Sequence, residues 1–319
     1  MRLSFLALAT MCSFGVPAGA AIIITPTFTP AFNANFGVNA AAAQNAWKAA
    51  AAAVASNFSD NIHINITVDA VPGTSTFGMS DEIFGSLPYS SLYNAVVADA
   101  RTFDDAAAIG AGGSVTSGDP IGGIWVVTRP QAKALGLLAD DLNNDGTTTF
   151  GAGYNFSFSG TPTGGAYDFQ GLAAHEMSEV MGRLGVSGFL NHFSLIDEFS
   201  YFGPSARQAY GGASNYFSID NGATLLKLFN DNILSGLTSR DWAPVQQGGD
   251  GSPDAFNQYS SPNVINSVTE LDLRVMDVIG YDRLTSSGAP ATPEPSTSVL
   301  LIPTFAILIT LLWRRISPN

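Results

Sequence analysis

The sequence predicts an α+β domain, and three observations carry that expectation. Ile62, Ile64, Ile66 and Val68 alternate with His63, Asn65 and Thr67, the two-residue period of a half-buried strand. Residues 39–58 are rich in alanine, with Asn39 placed as a cap and Trp47 and Val54 as packing anchors, which reads as a helix. Residues 167–185 read as an amphipathic helix, capped by Asp168 and stopped at Gly185. The other elements fill in around these. Residues 21–28 (AIIITPTF) form a β-branched run suited to a buried first strand. Residues 89–109 have helical periodicity and give at least one helix, 123–129 (GIWVVTR) a strand, and 130–138 a short helix with Pro130 at its first position. Two short strands, 147–151 and 154–159, come just before the helix at 167–185. A closing helix spans 267–279: Ser267 and Glu270 make a capping box, Leu271, Val275, Val278 and Ile279 share a stripe, and Gly280 ends it. No internal repeat interrupts this α+β layout.

Neither end belongs to the fold. Residues 1–20 combine Arg2, an apolar run from Leu3 to Val16 and the small exit Ala18-Gly19-Ala20, which is the pattern of a secretory signal peptide cut before Ala21. The single cysteine, Cys12, lies inside it, so disulfides and cysteine-bound zinc are excluded from the mature chain. Residues 286–298 (SSGAPATPEPSTS) form a Pro/Ser/Thr linker, followed by an apolar run over 299–313 and then Arg314-Arg315. Pro293-Glu294-Pro295, apolar helix and arginine pair, in that order over 293–319, resemble the PEP-CTERM sorting signal of Gram-negative bacteria. The resemblance implies an exosortase-type partner and a transient inner-membrane stage with 299–313 as the transmembrane segment. It also implies delivery to the cell surface or extracellular matrix. Between the ends, residues 21–285 are enough for one large domain. The chain carries net charge −13 with 13 Lys and Arg, which leaves no basic footprint for nucleic acid.

The chemistry sits on the helix at 167–185. His175 and Glu179 are four residues apart, so their side chains project from one helix face toward a common point. Glu176 is the next residue round. An imidazole and two carboxylates grouped this way are costly to bury without a cation. A zinc hydrolase needs three protein ligands and one open position, and His175 and Glu179 supply two. The third is open between His192, the better zinc donor, and Asp197. His63 falls on the polar face of its strand, where an exposed histidine needs no metal role. Carboxylate ligands add negative charge, which lowers Lewis acidity and suits manganese or calcium better than zinc. Residues 141–146 (DLNNDG) match the first half of a calcium loop, but Ala152 stands where the bidentate glutamate belongs. An Asx-rich turn accounts for them, with calcium as a structural option.

Tyr167-Asp168-Phe169, Ala174-His175-Glu176 and Gly182 resemble the His-Glu-x-x-His block of matrixin- and serralysin-like metzincins, with Glu179 in place of the second His. Leu271-Asp272 and Met276-Asp277-Val278-Ile279-Gly280-Tyr281 resemble the helix that closes many bacterial members. The set HEMSEVMGR, LIDEFSYF, YFSID, DWAP and MDVIGYD is similar to a group of bacterial PEP-CTERM metalloproteases with this His-Glu-x-x-Glu form. The likeness covers most of residues 22–282. It implies a zincin-like fold, a mixed sheet with an active-site helix, and a zinc-dependent endopeptidase. His175 would be the first ligand, Glu179 the second and Glu176 the general base. The family's third histidine would fall at Gly185, so His192 or Asp197 must stand in. The altered ligand set leaves an alternative: a non-catalytic matrix or surface protein on a metalloprotease scaffold.

Overall fold

The computed structural model describes residues 21–186, 191–230, 233–234, 237–238 and 240–284. The expected signal peptide 1–20 with Cys12, the expected linker 286–298 and the expected sorting tail 293–319 lie outside the described residues. The chain divides into two units, Met1–Arg283 and Leu284–Asn319, and the described strands and helices belong to the first. Among the described residues no helix is long and apolar enough to cross a membrane.

The fold is α+β, built on a mixed sheet. Strand β1 (Ile23–Phe28) leads to α1 (Pro30–Phe36), whose start is fixed by the Thr29 hydroxyl accepting from the Phe32 amide. Helix α2 (Ala40–Ala55) follows; Trp47 and Val54 are buried on it as expected, whereas Asn39 makes no side-chain cap. Strand β2 (His63–Val71) alternates buried and half-buried residues, with Ile64, Ile66 and Val68 inside. Next come β3 (Gly78–Glu82), β4 (Phe84–Leu87), α3 (Tyr89–Asp99) and α4 (Phe103–Ile109), the last opened by a Thr102/Asp105 capping box. Strand β5 (Ile124–Thr128), helix α5 (Arg129–Ala134) and strand β6 (Asn144–Gly151) complete the first half. Thr128 caps α5, so Pro130 sits one position further in than the sequence suggests.

The main sheet runs β1-β2-β6-β3. The first three strands are parallel, and β3 lies antiparallel at the edge. Strand β1 is the opposite edge and alternates exposed and half-buried residues, so it is not the buried strand its β-branched run suggests. Two short parallel strands, β7 (Phe156–Ser157) and β8 (Tyr167–Asp168), bring the chain to helix α6 (Phe169–Val180). Helix α6 packs against α2, β6 and β3. Its Phe169, Ala173, Met177 and Val180 are fully buried, and the Trp47 indole of α2 donates to Thr148 Oγ1 on β6 at 3.2 Å. The second half is loop-rich, as expected. It holds β9 (His192–Phe193), a 3-10 turn (Leu195–Phe199), and the small antiparallel sheet of β10 (Ser200–Gly203), β11 (Ala206–Arg207), β12 (Tyr216–Phe217) and β13 (Lys227–Leu228). Helix α7 (Glu270–Val278) closes the unit. Its capping box is Thr269 with Asp272 rather than Ser267 with Glu270, because Asp272 also receives the buried Trp242 indole at 2.7 Å.

Helix α6 ends earlier than Gly185. The Gly182 amide donates to the Glu179 carbonyl at 2.8 Å and the Arg183 amide to the Ser178 carbonyl at 3.0 Å, the paired bonds of a Schellman turn. Gly182 supplies the left-handed conformation, φ 108°. The turn folds Arg183 back over the face that carries His175. Gly182→Ala is expected to destabilise the protein by about 1–2 kcal/mol through the positive φ. Urea denaturation of the metal-free protein checks it.

Candidate metal centre

Helix α6 places its polar residues in a cleft of about 680 Å³. Gly78, Met79, Ser80 and Glu82 of the edge strand form one wall, and residues 257–260 another. Ligand atoms of His175, Glu179 and Asp241 lie within 4.8 Å of one another there, and among the described residues this is the one such group that could hold a metal ion. His175 Nε2 is 3.5 Å from Glu179 Oε1 and 3.4 Å from Asp241 Oδ1. Tetrahedral zinc with bonds of about 2.0–2.1 Å separates its donor atoms by about 3.3–3.4 Å, so these two edges fit a zinc centre.

The imidazole is set for that role. His175 Nδ1 lies 2.8 Å from the Ala255 carbonyl, which can only accept, so Nδ1 carries a proton and Nε2 faces the carboxylates. Burial disfavours the charged ring, but Asp241, and then Glu179, outweigh it and push its pKa up to about 9. Burial works against the Glu179 carboxylate too; the hydrogen bond and charge of His175, Arg183 and the Ser80 hydroxyl (2.6 Å) hold it down at about 2. Glu176 responds oppositely. Burial and the neighbouring Glu179 charge raise it well above the usual carboxylate range. It fits only because β3 has glycine at position 78: a Cβ there would lie 2.1 Å from Glu176 Oε1.

The structure brings His175, Glu176 and Glu179 together, and the acid that joins His175 and Glu179 in the cluster is Asp241. Neither Asp197 nor His192 joins the group. Asp197 is fully buried elsewhere: Oδ1 accepts from Arg240 Nε (3.0 Å) and Nη2 (2.7 Å), and Oδ2 from the Ser194 amide (2.9 Å). It caps the 3-10 turn at Leu195–Phe199. His192 lies on β9, paired in register with Ile124. The missed residue, Asp241, opens the DWAP block. Its neighbour Arg240 has φ 57°, a conformation costly for a side chain this large, so the chain turns sharply between them. Arg240 goes to Asp197 and the Ala209 carbonyl, while Asp241 enters the cleft with Asn230 Nδ2 on its second oxygen.

His63 stays outside the group, paired with Asp140 at 2.7 Å on a partly exposed surface. In the half calcium loop, Lys133 Nζ meets the His63 carbonyl (2.9 Å), the Asp141 carbonyl (3.1 Å) and Asp145 Oδ2 (2.9 Å), and Arg129 grips Asp141. A lysine ammonium supplies the positive charge that these oxygens face. No family model, curated protein or solved structure matches the chain.

The geometry predicts two behaviours. The proton on His175 competes with any ion at Nε2, so zinc affinity is expected to rise about tenfold per pH unit from pH 6.5 toward 9. Calorimetry in buffers of different ionisation heat reads this as about one proton released per ion. In the metal-free protein the same raised pKa stabilises the fold fully below about 6.5, and that contribution is lost as pH rises through about 9. Asp197→Ala is expected to cost about 3–5 kcal/mol in metal-free urea denaturation, because it strands buried Arg240. A residue acting only as a metal ligand would leave metal-free stability unchanged.

Proposed function

We propose that the protein is a zinc-dependent endopeptidase with a zincin-like fold. The observation that carries the reading is the convergence of His175 Nε2, Glu179 Oε1 and Asp241 Oδ1 beside Glu176 in an open cleft. His175, Glu179 and Asp241 would hold the zinc, which when bound supplies Lewis-acid polarisation of a carbonyl and acidifies water. Glu176 would take the proton of the attacking water and return it to the leaving amine. Among the described residues β3 is the edge strand of its sheet and lines the cleft, so an extended peptide could add to the sheet there as a further strand. The sequence ends add export, an exosortase-type sorting step and a final place at the cell surface or in the matrix.

One observation favours a second reading, a non-catalytic matrix or surface protein. Arg183 and a protonated His175 can neutralise Glu179 and Asp241 without any ion. Elemental analysis separates the two: no bound transition metal, with melting unaffected by chelator, fits the second.

The peptidase reading predicts that casein is cleaved with zinc and not with chelator. Glu176→Gln is expected to lose about 10²–10⁴-fold in rate while still binding zinc. Gly78→Ala should lose rate similarly, because its methyl group takes the place of the Glu176 carboxylate. Equal cleavage by wild type and Glu176→Gln overturns the proposal.

A further inference from the structure

Arg183 meets two of the candidate ligands and has no part in the peptidase reading. Its side chain is 1% exposed and meets the ligands directly. Nη1 donates to Asp241 Oδ1 at 2.7 Å, Nη2 lies 3.5 Å from Glu179 Oε1, and Nε donates to Ser178 Oγ at 2.8 Å. The Ser178 hydroxyl donates in turn to the His175 carbonyl at 2.6 Å, and the guanidinium lies 4.4 Å from the centre of the Phe256 ring. Among the described residues Nη2 has no hydrogen-bond acceptor. A buried cation with an unused donor is placed for charge as well as for packing.

The placement answers the chemical difficulty of the donor set. Replacing imidazoles by carboxylates adds negative charge at the ligand atoms and lowers the electrophilicity of a bound ion. A guanidinium cannot lose its proton in a protein, so its charge is constant across the working pH range. It shares the oxygens that would bind the ion, and so withdraws donor charge while it competes with the ion.

We propose that Arg183 is a positioning residue that makes the anionic centre workable: it orients Asp241 before the ion arrives and offsets the charge of the Glu179 and Asp241 ligands. This rests on the metal-centre reading. Two effects follow for the full-length protein. The ion binds less tightly than the carboxylates alone would hold it, and it is the more reactive for that.

The test uses cobalt(II) as probe, read by its visible absorption, in wild type, Arg183→Gln and Arg183→Lys, with folding checked by circular dichroism. Arg183→Gln keeps a hydrogen-bonding side chain and loses the charge. It is expected to bind cobalt about tenfold more tightly than wild type, and, saturated with zinc, to cleave casein with kcat at least tenfold lower and KM unchanged. Arg183→Lys keeps the charge and is expected to stay within about threefold of wild type in cobalt affinity. Cobalt affinity in folded Arg183→Gln that is equal to or weaker than wild type overturns the proposal and leaves the metal centre standing. If Arg183→Gln does not fold, Arg183→Lys decides, and a tenfold change in its affinity overturns it. Wild type that binds no cobalt removes the metal-centre reading itself, and this proposal with it.

Discussion

Buried carboxylates must meet positive charge, and that constraint organises the second half of this molecule. Glu176, Glu179, Asp197 and Asp241 all lie within the protein, where an unpaired carboxylate is costly. Two arginines answer three of them, while burial raises the Glu176 carboxyl well above the usual carboxylate range instead. Arg240 closes on Asp197, and Arg183 closes on Asp241 and approaches Glu179. The first pair holds a left-handed residue in place, and the next residue in the chain is the third candidate ligand. Backbone strain at Arg240 is thus tied to the position of Asp241, with a buried ion pair as the tether.

The same logic explains the polar loop at 141–146. Its sequence matches the first half of a calcium loop, yet Lys133 and Arg129 come from the neighbouring helix α5 to meet its carboxylates. Fixed side-chain cations serve where an ion could have. The cleft differs from that loop in one respect. There, too, a guanidinium is present, but three donor atoms still converge, and one of them is His175 Nε2, a nitrogen whose proton can leave. Arg183 alone cannot offset both Glu179 and Asp241, so the remaining negative charge falls to a protonated His175 or to a bound ion.

How legible the molecule was in its sequence depends on range. His175, Glu176 and Glu179 could be read directly because a helix converts sequence spacing into shared direction. The α+β layout was legible for the same reason: β2 and α2 follow their periods, and Ile64, Ile66, Val68 and Trp47 are buried accordingly. Asp241 lies far beyond Glu179 in an irregular tract, where no period links position to direction. Asp197 drew attention as an acid in a strong local block, but the block is a capping turn, and its acid serves the turn. The end of α6 was misplaced because Gly182 and Gly185 are equally good stop signals locally. Burial of Arg183 against the cleft decides between them, and that is a tertiary fact. The closing helix shows the same ambiguity, where Thr269 prevails over Ser267 because its partner Asp272 also holds Trp242.

The edge strand adds a last element of coupling. Ser80 Oγ lies within hydrogen-bonding distance of both Glu82 Oε1 and Glu179 Oε2, yet a hydroxyl has one proton to give. One carboxyl must therefore bring the second proton. Glu179 is held ionised by His175 and Arg183, whereas burial raises Glu82 to about 7. The consistent arrangement has Glu82 donating to Ser80 and Ser80 donating to Glu179. The oxygen of Glu179 that does not face His175 is then fixed by a chain running along β3, the strand whose glycine also admits Glu176. A single edge strand thereby sets the orientation of one candidate ligand, the position of the candidate base and one wall of the cleft. Register in that strand is as much a part of the centre as the residues on the helix.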